Sequence, residues 1–184
     1  MIGRSASQNI FLVAVGFLFV AGCYNAGPLV SEEESYFNRG VAYGRRGQLD
    51  RAIVNFNRVL EIKPTVAYAY YHRGFDYLQK GNYDQAIADY SKTLELNPKI
   101  SGAYVYRGNA YLRKGKYDQA IADYNKALEI DPKDARAYEG RASVRKEMGD
   151  KEGAALDLKK AYEHETDSRA RTRIQRLLQE LQLR

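Results

Sequence analysis

Gly81–Pro98 reads GNYDQAIADYSKTLELNP, and Gly115–Pro132 reads GKYDQAIADYNKALEIDP. The second stretch begins 34 residues after the first, and over the full frame Ala67–Ile100 and Ser101–Asp134 are identical at 21 of 34 positions. A repeat of this period marks a stack of supersecondary units, each of which buries its apolar face only against its neighbours. The frame runs in both directions without a gap. Gly40, Gly74 and Gly108 share one slot, with Ala142 in the fourth copy; Tyr43, Tyr77 and Tyr111 share another, with Arg145 departing. Gly47, Gly81, Gly115 and Gly149 follow, then Ala52, Ala86, Ala120 and Ala154, then Phe56, Tyr90, Tyr124 and Leu158. Pro64, Pro98 and Pro132 close three copies, and Thr166 stands in the fourth.

The slots have a physical reading as two helices joined by a tight turn. A small residue in the first helix lets the second approach closely, and the Tyr and Ala/aromatic slots fill the space between them. The second Gly of each copy ends the first helix in the left-handed conformation. Asp50, Asp84 and Asp118 then fall in the first turn of the second helix, where the helix dipole favours negative charge. Proline stops that helix. The spacing predicts helices over 33–46, 49–62, 67–80, 83–96, 101–114, 117–130, 135–148 and 151–164. A last helix is expected over Ser168–Leu183, with Ile174, Leu177, Leu178 and Leu181 on one stripe, and no segment reads as a strand.

The spacing Tyr-x3-Gly-x2-Tyr, then Ala-x3-aromatic, then Pro, at period 34, resembles the tetratricopeptide repeat (TPR). The resemblance covers residues 33–167 as four copies, 33–66, 67–100, 101–134 and 135–167. It implies an all-α fold: a right-handed superhelical solenoid of four helix pairs, closed by a capping helix over 168–184. One departure recurs. The seventh slot, commonly Leu in the family, is Arg39, Arg73, Arg107 and Arg141. Asp89, Asp123 and Asp157 occupy slot 23, with Asn55 in the first copy, so Arg73–Asp89 and Arg107–Asp123 contacts are expected inside the helix pairs.

Charge and composition narrow the function. Net charge is +6, but residues 169–184 hold five Arg against Glu180, so the repeats themselves are nearly neutral. A nucleic-acid surface is not supported. Arg169, Arg171, Arg173 and Arg176 read as the solvated face of a cap helix, with anionic lipid head groups as the other reading. His72 and His164 lie in different copies with no Cys or carboxylate at ligand spacing, so no metal is expected. The glycines recur at the repeat period and form no phosphate-cradling loop. Asp89 and Asp123 are likewise repeat positions. No catalytic set and no cofactor are expected, and the chain does not read as an enzyme.

The amino terminus carries a different signal. Ile10–Ala21 is a run of 12 residues without a polar side chain, too short for a membrane-spanning helix of ~20 residues. It has the length of the apolar core of a secretory signal peptide. It ends in Val20-Ala21-Gly22-Cys23, which resembles the lipobox of bacterial lipoproteins. The resemblance implies removal of residues 1–22 and lipidation of Cys23, the only cysteine, on its sulfur and its new amino group. Multiple acyl chains anchor a protein stably where one does not. The protein would then be lipid-anchored in a bacterial cell envelope. Tyr24 replaces the Asp of the inner-membrane retention signal, which favours the outer membrane, facing the periplasm. Residues 23–32 would tether the repeats within about 30 Å of the anchor.

In the family, the second, fifth, sixth, ninth, twelfth and thirteenth slots line a concave, peptide-binding groove. Here they include Phe37, Asn38, Tyr68, Tyr71, His72, Phe75, Tyr106, Asn109 and Arg113, with Arg136, Glu139, Lys146 and Glu147 in the fourth copy. Chaperone-binding relatives hold an acidic C-terminal carboxylate in a Lys/Asn/Arg clamp. Phe37, Val41, Gly102 and Tyr106 occupy clamp slots, so that clamp is absent. An aromatic centre with a charged end suits an extended or apolar peptide segment of a partner protein. The expected function is a lipid-anchored adaptor of the envelope. Similar lipoproteins assist pilus or secretin assembly or serve cell-wall hydrolases. The alternatives are a structural subunit of a membrane complex and a soluble intracellular scaffold.

Overall fold

A computed structural model describes residues 30–182 of the chain. The expected leader at 1–22, Cys23 and the tether up to residue 29 lie outside the described residues. Among those described there are nine α-helices and no strand: α1 (Glu32–Arg45), α2 (Leu49–Ile62), α3 (Ala67–Gln79), α4 (Tyr83–Leu96), α5 (Ser101–Arg113), α6 (Tyr117–Ile130), α7 (Ala135–Glu147), α8 (Lys151–His164) and α9 (Ser168–Gln182). Their limits fall within one residue of those the repeat spacing predicts.

Local chemistry sets these limits. Ser31 caps α1, its side-chain oxygen accepting from the Glu34 amide, and Glu32, Glu33 and Glu34 fill the first turn. Between the two helices of each copy the chain passes through a glycine at positive φ, 79° at Gly81 and 70° at Gly115. A side chain there would force a strained backbone, which is why glycine recurs at the period. The residue before each proline is extended, as at Asn97 (φ −148°, ψ 95°), because the proline ring disfavours helical geometry one position earlier. The fourth copy stops without proline. The Glu165 carboxylate accepts from the Thr166 and Asp167 amides, and Asp167 then caps the start of α9.

The two helices of each copy pack face to face, and each second helix packs on the first helix of the next copy. The first helices α1, α3, α5 and α7 also touch one another in succession, which puts them on the inner face of the superhelix. The aromatic slot provides the core of each pair. Phe56, Tyr90 and Tyr124 are fully buried. The matching glycines make room for them: a Cβ at Gly40 would stand 2.8 Å from the Phe56 ring, and one at Gly108 2.9 Å from that of Tyr124. Truncating such a ring costs ~3–5 kcal/mol.

The recurrent arginine binds three helices together. Arg73 donates from Nε and Nη2 to both carboxylate oxygens of Asp89, at 2.8 and 2.7 Å, and from Nη1 to Asn57 of the preceding copy at 2.7 Å. Arg107 does the same with Asp123 and Ser91, and Arg141 with Asp157 and Asn125. Each guanidinium also lies over a Tyr three residues earlier on its own helix, as Arg73 does over Tyr70 at 5.4 Å. Arg39, with Asn55 in place of the Asp, instead stacks on Tyr36 at 4.4 Å and donates from Nε to the Ser35 carbonyl of its own helix at 3.4 Å. Arg145, where the tyrosine pattern breaks, donates to Asp157 and to the Gly153 carbonyl.

Helix α9 covers the end of the stack. Ile174 is fully buried, and Leu177, Leu178 and Leu181 pack with it against Ala142, Leu158 and Ala161. Two of the tail's arginines are engaged: Arg171 stacks over Tyr162 at 4.3 Å, and Arg173 pairs with Glu139.

Candidate functional site

The inner face is lined along its middle by aromatic rings. Tyr68 is exposed, whereas Phe37, Tyr71, His72, Phe75 and Tyr106 are half-buried. They form one connected set. Tyr71 meets Tyr68, His72 and Tyr106 edge-on, at centroid distances of 6.3, 5.4 and 5.9 Å, and Phe75 meets Tyr106 at 5.1 Å. Alternating edge and face contacts hold such rings in fixed orientations.

These groove aromatics are not separate from the core rings. Tyr71 lies edge-on to the buried Tyr90 at 6.0 Å, and Tyr106 stacks on the same ring. Phe37 and His72 both contact Phe56. The slot-24 ring reaches through the helix pair, so the groove aromatics form the outer layer of the core. Asn109 is also tied to the interior, where its side-chain oxygen accepts the Tyr124 hydroxyl at 2.7 Å. Asn38, Tyr68 and Arg113 are the expected groove residues that stand out into solvent.

A cavity lies on each side of this aromatic shelf. The one toward the carboxyl end, about 790 Å³, is bounded by Leu78, Asn109, Arg113, Arg136, Glu139 and Arg173. Its cations are partly committed: Arg136 is held by Asp134, and Arg173 by Glu139. The other, about 470 Å³, lies between α1 and α3 and is walled by Val41, Phe56, His72 and Phe75, with Arg45 and Gln79 at its edge. Burial and the nearby charge of Arg45 hold His72 below the ordinary histidine range, so its imidazole is neutral at pH 7.

Asp76 lies in the wall of this second cavity and was not among the expected site residues. It is 2% exposed, and burial lifts its carboxyl to about 7. Its Oδ2 is wholly buried with no hydrogen-bond partner among the described residues. The Tyr90 hydroxyl is also unpartnered, because slot 9, which holds Asn109 for Tyr124, holds Phe75 here. Comparing slot 10 across the copies would have singled Asp76 out, since Ala42, Ala110 and Val144 stand there in the other three.

An all-α superhelix of helix pairs, with rings and cavities along its inner face and a helix sealing its end, defines a repeat scaffold for protein–protein interaction. Family models described as tetratricopeptide repeat match residues 33–66, 67–100 and 90–122, and one described as TPR repeat matches 108–149. Together they run from residue 33 to residue 149, and the chain belongs to the tetratricopeptide repeat proteins. No curated protein matches it by sequence. Among solved structures it is similar to a crystal structure of MamA, at 28% identity and a TM-score of 0.69, over 72% of this chain and 78% of that one. It is similar to TTC0263, a thermophilic TPR protein of Thermus thermophilus, at 25% identity and a TM-score of 0.70, over 82% and 81%. It also resembles the TPR domain of Arabidopsis OM64, at 25% identity and a TM-score of 0.61, over 62% of this chain and 95% of that one.

Proposed function

We propose that this protein is a lipid-anchored TPR adaptor of the bacterial envelope, which holds an extended segment of a partner protein in its concave groove and has no chemistry of its own. The observation that carries the groove reading is the line of half-buried rings, with Tyr68 exposed at its edge and a cavity on either side. Rings already fixed by their neighbours present apolar area without losing freedom on binding, and aromatic side chains at an interface centre commonly carry its energy. The anchor reading rests on Val20-Ala21-Gly22-Cys23 after the 12-residue apolar run. Outer-membrane location rests on Tyr24.

Fatty-acid labelling of cells producing the full chain tests the anchor. The wild type should take up label and fractionate with membranes, and Cys23→Ala should do neither. Equal labelling of Cys23→Ala would remove the anchor from the account.

A further inference from the structure

Two departures from the repeat meet at one place in the groove. Slot 10 is Ala42, Ala110 and Val144 in three copies and Asp76 in the second. Slot 12 is Leu78, Leu112 and Lys146 in three copies and Gly44 in the first. The two exceptional positions face each other between α1 and α3: a Cβ at Gly44 would stand 3.2 Å from Asp76 Oδ1. A leucine at residue 44 would press on the carboxylate. Glycine leaves the Oδ1 edge of this otherwise buried carboxylate facing the cavity of about 470 Å³ that both residues line.

A buried carboxylate without a partner opposes folding. The same slot accepts Ala in the first and third copies, where no such cost arises, so the fold does not require Asp76. Its Oδ2 has no hydrogen-bond partner among the described residues. Arg45 lines the same cavity but is exposed, and only burial acts on the Asp76 carboxyl.

We infer that this cavity receives a lysine or arginine side chain of the segment held in the groove, with Asp76 as its counter-ion, an assignment that rests on the groove reading above. A carboxylate only accepts hydrogen bonds, so its missing partner is a donor, and a cation is the donor that also cancels its charge. The walls suit such a guest. The half-buried Val41 and Phe75 offer apolar surface to an aliphatic stem, and Phe75 offers a ring face to a cation. An acidic or purely apolar side chain entering the same cavity would leave Asp76 buried and unpaired.

The test is selection of a random peptide library on the full chain in detergent micelles, at pH 8. Peptides enriched on the wild type should carry Lys or Arg at one fixed position. Replacing that residue with norleucine should weaken binding about 10- to 100-fold. Asp76→Ala places in the second copy the residue that the first and third already carry, and its melting curve checks that it folds. It should bind the selected peptide more weakly by the same factor and be indifferent to the norleucine replacement. Enriched peptides with no fixed basic position would overturn the counter-ion assignment and leave the groove reading standing. So would an Asp76→Ala protein that keeps both the affinity and the preference for a cation. If no peptide is enriched on the wild type, the groove reading fails and this assignment fails with it.

Discussion

Replacing Arg107 with methionine tests what holds successive repeats together. Arg107 donates to both oxygens of Asp123 on α6 at 2.8 Å, and to Ser91 on α4 at 3.0 Å. Methionine keeps much of the aliphatic stem and removes every donor. Asp123, 5% exposed, is then left as a buried charge without its partner. Removing one partner of a buried pair costs ~3–5 kcal/mol. The Arg107 side chain is 19% exposed, so water recovers part of that, and a loss of about 3 kcal/mol is expected. Lys92→Met is the control. Its pair with Glu95 is 45% and 63% exposed, and water and salt screen such surface pairs so that they contribute little to stability. Urea unfolding followed by far-ultraviolet circular dichroism measures both, with the slope recorded alongside the midpoint because repeat arrays can lose two-state behaviour. The double change Arg107→Met with Asp123→Leu replaces the whole pair with apolar groups and should recover much of the loss. A loss for Arg107→Met no larger than that for Lys92→Met, or a double variant as unstable as the sum of its parts, would refute the view that these arginines hold the stack.

Asp76 predicts a pH-dependent effect on stability. Its carboxyl is lifted from 3.8 to about 7, so the folded chain holds that proton more tightly than the unfolded chain. The stability this provides is complete below about pH 4 and is lost as pH rises through 7. The stability of Asp76→Ala relative to wild type should therefore rise between pH 4 and pH 8, by at most about 4 kcal/mol, and a constant difference across that range would contradict the burial of an ionisable carboxyl. Deleting residues 168–184 exposes the apolar face that Ile174, Leu177 and Leu178 cover, so the melting temperature should fall and the protein self-associate; an unchanged melting curve would mean that α9 does not cap the stack. Tyr71→Ala and Tyr106→Ala should lower stability as well as partner capture because both rings pack on Tyr90, whereas Tyr68→Ala should weaken capture with the melting curve intact; loss of folding on Tyr68→Ala would overturn this division.

The helices were legible because their ends are local events. Gly81 turns the chain and the residue before Pro98 is driven out of helical geometry whatever the rest of the molecule does. The Arg73–Asp89 and Arg107–Asp123 pairs were legible because slots 7 and 23 face each other within one copy. Their third partners, Asn57 and Ser91, lie in the preceding copy, and the stagger between copies is not written in the period. The groove slots named rings without showing what lay behind them; Phe56 and Tyr90 reach through the helix pair and bind the groove aromatics into the core. Asp76 stayed hidden because a repeat is recognised by what recurs, and this residue is an exception. Its meaning depends on a second exception, Gly44, which only the packing of α1 on α3 brings beside it.

Site-specific photo-crosslinking in living cells tests the central claim, that the concave face holds the partner. A photoreactive phenylalanine analogue replaces either Tyr68, 53% exposed on the first helix of the second copy, or Leu156, 58% exposed on the second helix of the fourth. The full chain, with its own amino terminus, carries the probe. Capture in the groove predicts a discrete covalent adduct from position 68 that Arg113→Glu diminishes, and none from position 156. An adduct from position 156 with none from position 68 would contradict it and place the working surface on the convex side.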